Sequence, residues 1–292
     1  MLAAAFVTVI TAVFGADAWR IAFLLATIPA LLVALLCRTL KESPQFQAQQ
    51  TVRNLRRDGK HDQAAALAAA TATVEHTAAP YKRIFTGKHL RNTVVLSVAW
   101  LLNWFAIQTF SVLGTTVLEN GKGIDASSTL ILVVLSNLVG VAGYLAHGWA
   151  GDRFGRRNTI AVGWLLSGVF FAAMLFGPST QAYVLVTYMM GLFFLLGPYA
   201  AIMFFQAECF DTDCRATGSA FIGAMSQPGA IISGFILTGL TAASIGYSTA
   251  AFWVGALGAV ASGLVVLGAR RVTPPVSPET SAQSPAVTEV QP

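Results

Sequence analysis

Four long stretches of this chain carry no Asp, Glu, Lys or Arg, and their lengths dictate what the chain can become. They are residues 92–118, 126–151, 158–207 and 216–269. A hydrocarbon core takes about 20 helical residues per crossing, and lipid offers the backbone no hydrogen-bond partner, so each crossing must be a helix that satisfies itself. The stretches therefore supply one, one, two and two spans. The long ones divide where helix breakers stand: Gly177-Pro178-Ser179-Thr180-Gln181 in one, and Thr241-Ala242-Ala243-Ser244 with Gly246 in the other. Composition agrees, because 11% charged residues and a mean hydropathy of +0.65 lie far from the soluble-domain norm of about 25% charged. The expected fold class is all-α, a polytopic membrane protein.

An earlier apolar run, Ile21 to Cys37, reads as a seventh span, closed by Arg38, Lys41 and Glu42-Ser43-Pro44. Met1 to Phe14 is apolar too, but as a helix it would rise only about 21 Å against a core of about 30 Å, so it is expected to be a truncated eighth. A secretory leader is the rival reading, since Ala16-Asp17-Ala18 resembles a cleavage site, but no basic residue precedes the run. Four segments follow: 1–40, the last two helices of a first bundle; 41–90, a central loop; 91–271, a six-helix bundle; and 272–292, a disordered Pro/Ser/Thr tail. Within the loop, Gln45 to Arg57 and His61 to Ala79 favour helix around Asp58-Gly59. Either a solvated linker or an amphipathic face on the membrane fits them.

The 18 basic residues set the orientation. Ten lie between Arg38 and Arg91, and Arg153, Arg156, Arg157, Arg215, Arg270 and Arg271 return to the same side after even numbers of crossings. Only Arg20 and Lys122 fall opposite. By the positive-inside rule the central loop and the C-terminus are cytoplasmic, in a multi-pass protein of the plasma (inner) membrane. The net charge of +5 thus marks orientation, and no nucleic-acid partner is expected. Membrane lipid is the expected surroundings and the chain is expected to be a monomer. Cys37, Cys209 and Cys214 are odd in number and lie near cytoplasmic helix ends, so neither a disulfide framework nor a metal site is expected. No cofactor is expected either. An intramembrane enzyme would need a catalytic pair at depth, and the sequence has no buried Asp pair, no H-E-x-x-H and no G-x-S-x-G.

One motif stands far above background: Gly148-Trp149-Ala150-Gly151-Asp152-Arg153-Phe154-Gly155-Arg156-Arg157. It fits G-x-x-x-D-[RK]-x-G-[RK]-[RK], rarer by chance than about one in a million per start position. Its spacing has a physical rationale. Gly148 and Gly151 let a neighbouring helix approach, and Gly155 permits the positive φ of a tight turn. Asp152, at a helix C-terminus, is disfavoured by the macrodipole and needs a cation or another helix's N-terminus. The alternative is that the arginines only fix topology.

The motif resembles the cytoplasmic loop of the major facilitator superfamily, in the copy joining its eighth and ninth helices. Trp19-Arg20 and Glu42-Ser43-Pro44 resemble the W-R and E-S-P positions of its sugar and organic-acid porters, and Glu208 with Arg215-Ala216-Thr217-Gly218 resembles its E…R-x-x-G element. Cys209-Phe210-Asp211-Thr212 stands where many members have an aromatic-Pro-Thr turn, so the loop's shape departs from the pattern. The resemblance covers about Trp19 to Arg271. It implies two six-helix bundles rocking around a midplane site, with helices five to twelve represented here. It further implies a secondary transporter of an organic or aromatic acid coupled to protons; a sugar porter, or a transport-incompetent fragment lacking four helices, is the alternative.

Gly148, Asp152, Arg153, Gly155, Arg156, Arg157, Glu208 and Arg215 are the expected gating residues, with membrane anchoring as the competing role. Substrate contacts must come from uncharged groups, since the spans hold no ionised ones. Asn103, Gln108, Asn137, Tyr199 and Gln227 are the candidates, each as able to glue helices as to bind ligand. Tyr144 and Gln206 are polar as well, Pro228 is expected to break its helix, and His147 is expected to serve a helix end. A reporter fused after Arg271 or inserted near Gly59 should lie inside and one near Lys122 outside; a cytoplasmic Lys122 would undo the span count.

Overall fold

The structure, a computed structural model, describes residues 18–39, 44–71 and 80–271. Met1–Phe14, Glu42-Ser43 and the tail from 272 lie outside them. Among the described residues every regular element is helical. In chain order these are α1 (Ala18–Cys37), α2 (Pro44–Arg57), α3 (His61–Ala70), α4 (Pro80–Ile84), α5 (Gly87–Val112), α6 (Gly114–Lys122) and α7 (Ala126–Phe154). Then follow α8 (Arg156–Phe176), α9 (Gln181–Glu208), α10 (Arg215–Ala242) and α11 (Tyr247–Val266). Helices α5, α8, α9, α10 and α11 are long and apolar enough to cross a membrane. With 29 residues, α7 has the length to be the sixth. The spans thus fall where the charge-free stretches place them, and the fold is all-α and polytopic.

The described part of the linker is helical and partly buried. Val52 of α2 and Ala64 of α3 are fully buried in a helical hairpin turned by Gly59, whose φ is +79°. Ile84, at the end of α4, sits in the bundle core, and Phe85 meets Phe221 of α10 edge-on at 5.0 Å. The last turn before α5 is therefore packed as part of the bundle. On α1, Leu31, Leu32, Val33, Leu35 and Leu36 are all exposed, as befits a greasy helix whose neighbours are lipid or other helices.

Two buried clusters fill the bundle. One, at the α5–α6 end, gathers Phe110, Phe171, Met174, Tyr188 and Leu192; the other, at the linker end, gathers Leu96, Trp100, Trp164, Ile202, Phe205 and Ile222. Trp104 and Tyr199 touch both, which puts them at mid-depth. Residues 107–112 of α5 and 252–256 of α11 each widen into a π-type turn. The wide turns face each other: a Cβ on Gly255 would lie 2.8 Å from the Thr109 Cβ. In the first one, the Tyr188 hydroxyl takes up the Phe110 carbonyl at 2.5 Å, while Thr109 donates back to the Phe105 carbonyl at 2.8 Å.

Proline kinks do the rest of the shaping. Pro198 has no N–H, so the Phe194 carbonyl loses its helical partner and α9 turns there before resuming at Tyr199. Pro228 does the same to the carbonyl of Ala224, and α10 breaks at Met225. At the α9 kink the chain crosses α7 with no room for a side chain. A Cβ on Gly197 would lie 2.6 Å from the Phe193 oxygen and 2.8 Å from that of Gly143. Backbone oxygens cannot rotate away, so Gly197→Ala should cost about 1–3 kcal/mol in unfolding. Gly223→Ala and Gly234→Ala, where nothing lies within 4 Å, should be neutral or stabilising by about 1 kcal/mol or less. Equal melting temperatures for all three would refute the crossing.

Candidate functional site

The turn between α7 and α8 is set by Gly155, at φ +90° and ψ 129°, a conformation closed to side chains with a Cβ. It lets Asp152, at the end of α7, face Arg156, at the start of α8. Arg156 Nη2 lies 3.1 Å from Asp152 Oδ1, and Nη1 lies 3.0 Å from Glu208 Oε1 at the end of α9. The guanidinium also sits 4.7 Å above the Phe204 ring. One always-charged cation thus joins three helix ends, and with its side chain only 16% exposed it is less screened than a surface pair. The glycines of the motif act as expected: a Cβ on Gly151 would lie 3.2 Å from Ala201 Cβ and one on Gly148 3.6 Å from Ala200 Cβ.

The other arginines of the motif divide. Arg157 caps α11, donating to the carbonyls of Leu267 (3.2 Å) and Ala269 (3.1 Å). Arg153 stacks over Trp149 and Phe154 at 5.6 and 5.9 Å. Arg215 is exposed and makes no ion pair among the described residues, so it stands apart from the expected network.

At mid-depth, Asn103 of α5 and Tyr199 of α9 meet. The Tyr199 hydroxyl donates to Asn103 Oδ1 at 2.8 Å, and the Tyr199 ring lies 5.0 Å from that of Trp100. Tyr144 of α7 is near enough to act electrostatically on Tyr199. Asn103 is fully buried, yet its Nδ2 has no acceptor among the described residues, nor have the buried Nε1 groups of Trp100 and Trp104. These residues follow one another at i, i+3 and i+4 and so share one face of α5. Trp100, Asn103 and Trp104 thus bring three such donors together on one face, and a buried donor left unpaired costs about 1–3 kcal/mol.

The remaining candidates are not brought to this point. Gln108 is half-buried in the wide turn of α5, where its carbonyl accepts from Leu113 at 3.0 Å. Gln227 is exposed. Gly229 of α10 packs against α5, at Leu101 and Trp104, and two helical steps of 100° turn Gln227 to the opposite side. Asn137 lies on α7, and its side chain falls outside the described residues. Gln206 is buried, with Nε2 3.5 Å from Met203 Sδ. His147 is buried at the α7–α9 crossing rather than at a helix end. Its Nδ1 donates to the Gly143 carbonyl at 2.9 Å, and its ring lies against those of Phe193 and Phe194, at 5.2 and 5.6 Å.

A second ionic cluster occupies the same end of the bundle. Asp211 accepts from Arg83 (3.1 Å), Lys88 (2.7 Å) and His89 (3.2 Å), and Arg83 also pairs with Asp213. Through it the α9–α10 loop is fastened to α4 and the first turn of α5. Burial pushes the Asp211 carboxyl up, but the hydrogen bonds and charges of Lys88 and His89 outweigh it and hold the pKa below the ordinary carboxylate value. Cys209 beside it is buried, and burial, then the Glu208 charge, push its thiol up to about 12 against a bond from Asn92. It remains a thiol at neutral pH, where a nucleophile would need the thiolate.

Comparison with known proteins decides the family. The Sugar (and other) transporter family matches residues 1–268. The chain belongs to it. Within this transporter family, 23% of 267 residues are identical to the niacin transporter NiaP of Acinetobacter baylyi, over 86% of the chain and 58% of that protein. The 4-hydroxybenzoate transporter PcaK of the same organism is 29% identical over 160 residues, 52% of the chain and 33% of that protein. Its cis,cis-muconate transport protein is 28% identical over 235 residues, 76% and 51% respectively. The chain therefore spans roughly a third to three-fifths of the length of these relatives. The family and these relatives are transporters, not enzymes, and the resemblance to major facilitator porters of the organic-acid kind holds.

For a transporter chain, the Asp211 cluster is the feature that the sequence reading missed. Its signal was present: two acids, Asp211 and Asp213, occupy the turn where a proline was expected, facing a linker counted only for its positive charge. A carboxyl with a depressed folded pKa contributes stability that is present above its unfolded value, about 4, and lost as pH falls through the folded one. Asp211→Asn should lower the melting temperature at pH 7 by about 2–4 °C and flatten its decline below pH 4. An unchanged acid limb would show the cluster to be idle.

Proposed function

We propose that the chain forms the second half of a proton-coupled carrier for small organic or aromatic carboxylates, in the plasma (inner) membrane with its central loop and C-terminus cytoplasmic. The observation that carries this reading is the trio of unpaired donors on Trp100, Asn103 and Trp104, held against Tyr199 at mid-depth. A carboxylate only accepts hydrogen bonds, so donors without acceptors match it. The aromatic walls suit a planar body. Three relatives carry names with niacin, 4-hydroxybenzoate and muconate, all small carboxylates. The orientation rests on the sixteen basic residues gathered on one side against two.

Alternating access requires the bundle's end to close and reopen. The Asp152–Arg156–Glu208 lock has the form of such a closure, since it ties three helix ends through one cation that either leaves or keeps its carboxylates as the helices shift. Gln108 and Asn137 belong to the substrate proposal as cavity groups of the complete carrier. The exposed Gln227 belongs to it only on a face turned toward another bundle.

Uptake of labelled 4-hydroxybenzoate into vesicles, by this chain joined to a first bundle and driven by an inward proton gradient, tests the reading. Asn103→Ala should raise the half-saturating concentration roughly 3- to 10-fold with insertion unchanged, and Asp152→Asn should slow uptake. Uptake of a hexose in place of the acid would make this a sugar porter, and indifference to the gradient would remove the proton.

A further inference from the structure

Where α5, α8 and α11 come together at the linker end, four arginines crowd around one turn of backbone. Arg91 Nε donates to the Gly268 carbonyl at 2.8 Å, and Arg157 Nη1 to those of Leu267 and Ala269 at 3.2 and 3.1 Å. The backbone N–H of Arg270 donates to Asn92 Oδ1 at 2.9 Å, which fixes Arg270 and Arg271 beside them. Arg91 and Arg271 are near enough for their charges to act on Arg157. Among the described residues no carboxylate answers them, since the ion pairs there belong to Arg83, Lys88, His89 and Arg156. The carbonyls at the end of α11 offset only a fraction of the charge, since a helix terminus carries about half an elementary charge. Arg91, Arg270 and Arg271 are exposed, and their remaining N–H groups point to no partner among the described residues.

A second observation says what kind of anion the cluster suits. Directly below the cations lies exposed apolar surface on both helices. On α5, Arg91, Val94 and Val98 follow at i, i+3 and i+7, and both valines are exposed. On the α11 side Leu264 and Leu267 are exposed, and Arg271 follows four residues after Leu267. The two chain segments that carry the strips adjoin, because a Cβ on Gly268 would lie 3.5 Å from a Val95 methyl. Cations thus cap an apolar strip that runs into the spans, which is the layout of a phosphate above acyl chains. A free phosphate would have no use for the strip.

We propose that this corner binds an anionic phospholipid, its phosphate bridged by Arg91 and Arg271 beside Arg157 and its chains laid along Val94, Val98, Leu264 and Leu267. Arginine forks suit phosphate oxygens two at a time, and basic pockets between spans recruit anionic headgroups.

The test is thermal unfolding of the purified full chain in neutral detergent micelles with added lipid. Phosphatidylglycerol should raise the melting temperature by roughly 3 °C or more, whereas phosphatidylcholine and millimolar inorganic phosphate should not. Arg91→Gln with Arg271→Gln should abolish the rise, and Arg91→Lys with Arg271→Lys should keep most of it, which separates lost charge from a damaged fold. Equal shifts from the two lipids would overturn the proposal. So would an equal shift from inorganic phosphate, which would make this a site for free anions, and so would a full phosphatidylglycerol effect in the glutamine variant.

Discussion

Hydrocarbon does not tolerate unpaired charge, and every other property of this bundle follows from that. Six membrane-length helices carry no ionised side chain through their middles, so the charges collect at the ends, where they must find partners or water. At the linker end they find each other. Arg156 holds Asp152 and Glu208, Arg83 and Lys88 hold Asp211, and Arg157 and Arg91 cap the end of α11. The far end is closed differently, by Lys122 of α6, which donates to the Gly177 carbonyl at the end of α8 at 2.8 Å; burial lowers its pKa. The ionic contacts among the described residues are thus confined to the ends of the helices.

Within the apolar middle, shape depends on glycine and proline. The Gly197-Pro198 kink brings α9 against α7 closely enough that only hydrogen fits at 197, and it delivers Tyr199 to Asn103. Pro228 breaks α10 beside the contact of Gly229 with α5. The polar groups at mid-depth therefore sit between two kinked helices and one with a wide turn. Prolines at such positions free a backbone carbonyl and kink the helix, so the polar groups at mid-depth sit beside the irregular stretches of the chain.

Much of this was legible in the sequence because the constraint is one-dimensional. A charge-free run of given length between breakers is a span whatever its neighbours, and the positions of α5 and α8 to α11 follow from it. The pairing of Asp152 with an arginine followed from the helix dipole, and the turn at Gly155 from its spacing. Asn103 could be named as a polar residue in an aromatic span and Tyr199 as one beside a proline kink, but their meeting depends on how α5 and α9 cross. Gln227 shows the limit: it adjoins Pro228, yet the rotation of α10 sends Gly229 inward and Gln227 outward. The Asp211 cluster needed the docking of α4 on the bundle, and no local pattern records that. His147 was placed at a helix end because Asp152 is near in sequence, whereas the depth of the α7–α9 crossing buries it.

The account stands on Arg156 as the cation that binds the helix ends together. A double-mutant cycle with Arg156→Gln and Glu208→Gln, read by unfolding of the purified chain, measures that bond without reference to substrate. Because both side chains are largely covered, the coupling should reach at least about 0.5 kcal/mol and shrink in high salt. Two effects that simply add would mean that Arg156 and Glu208 stand near each other without holding, and the lock at the bundle's end would have to be abandoned.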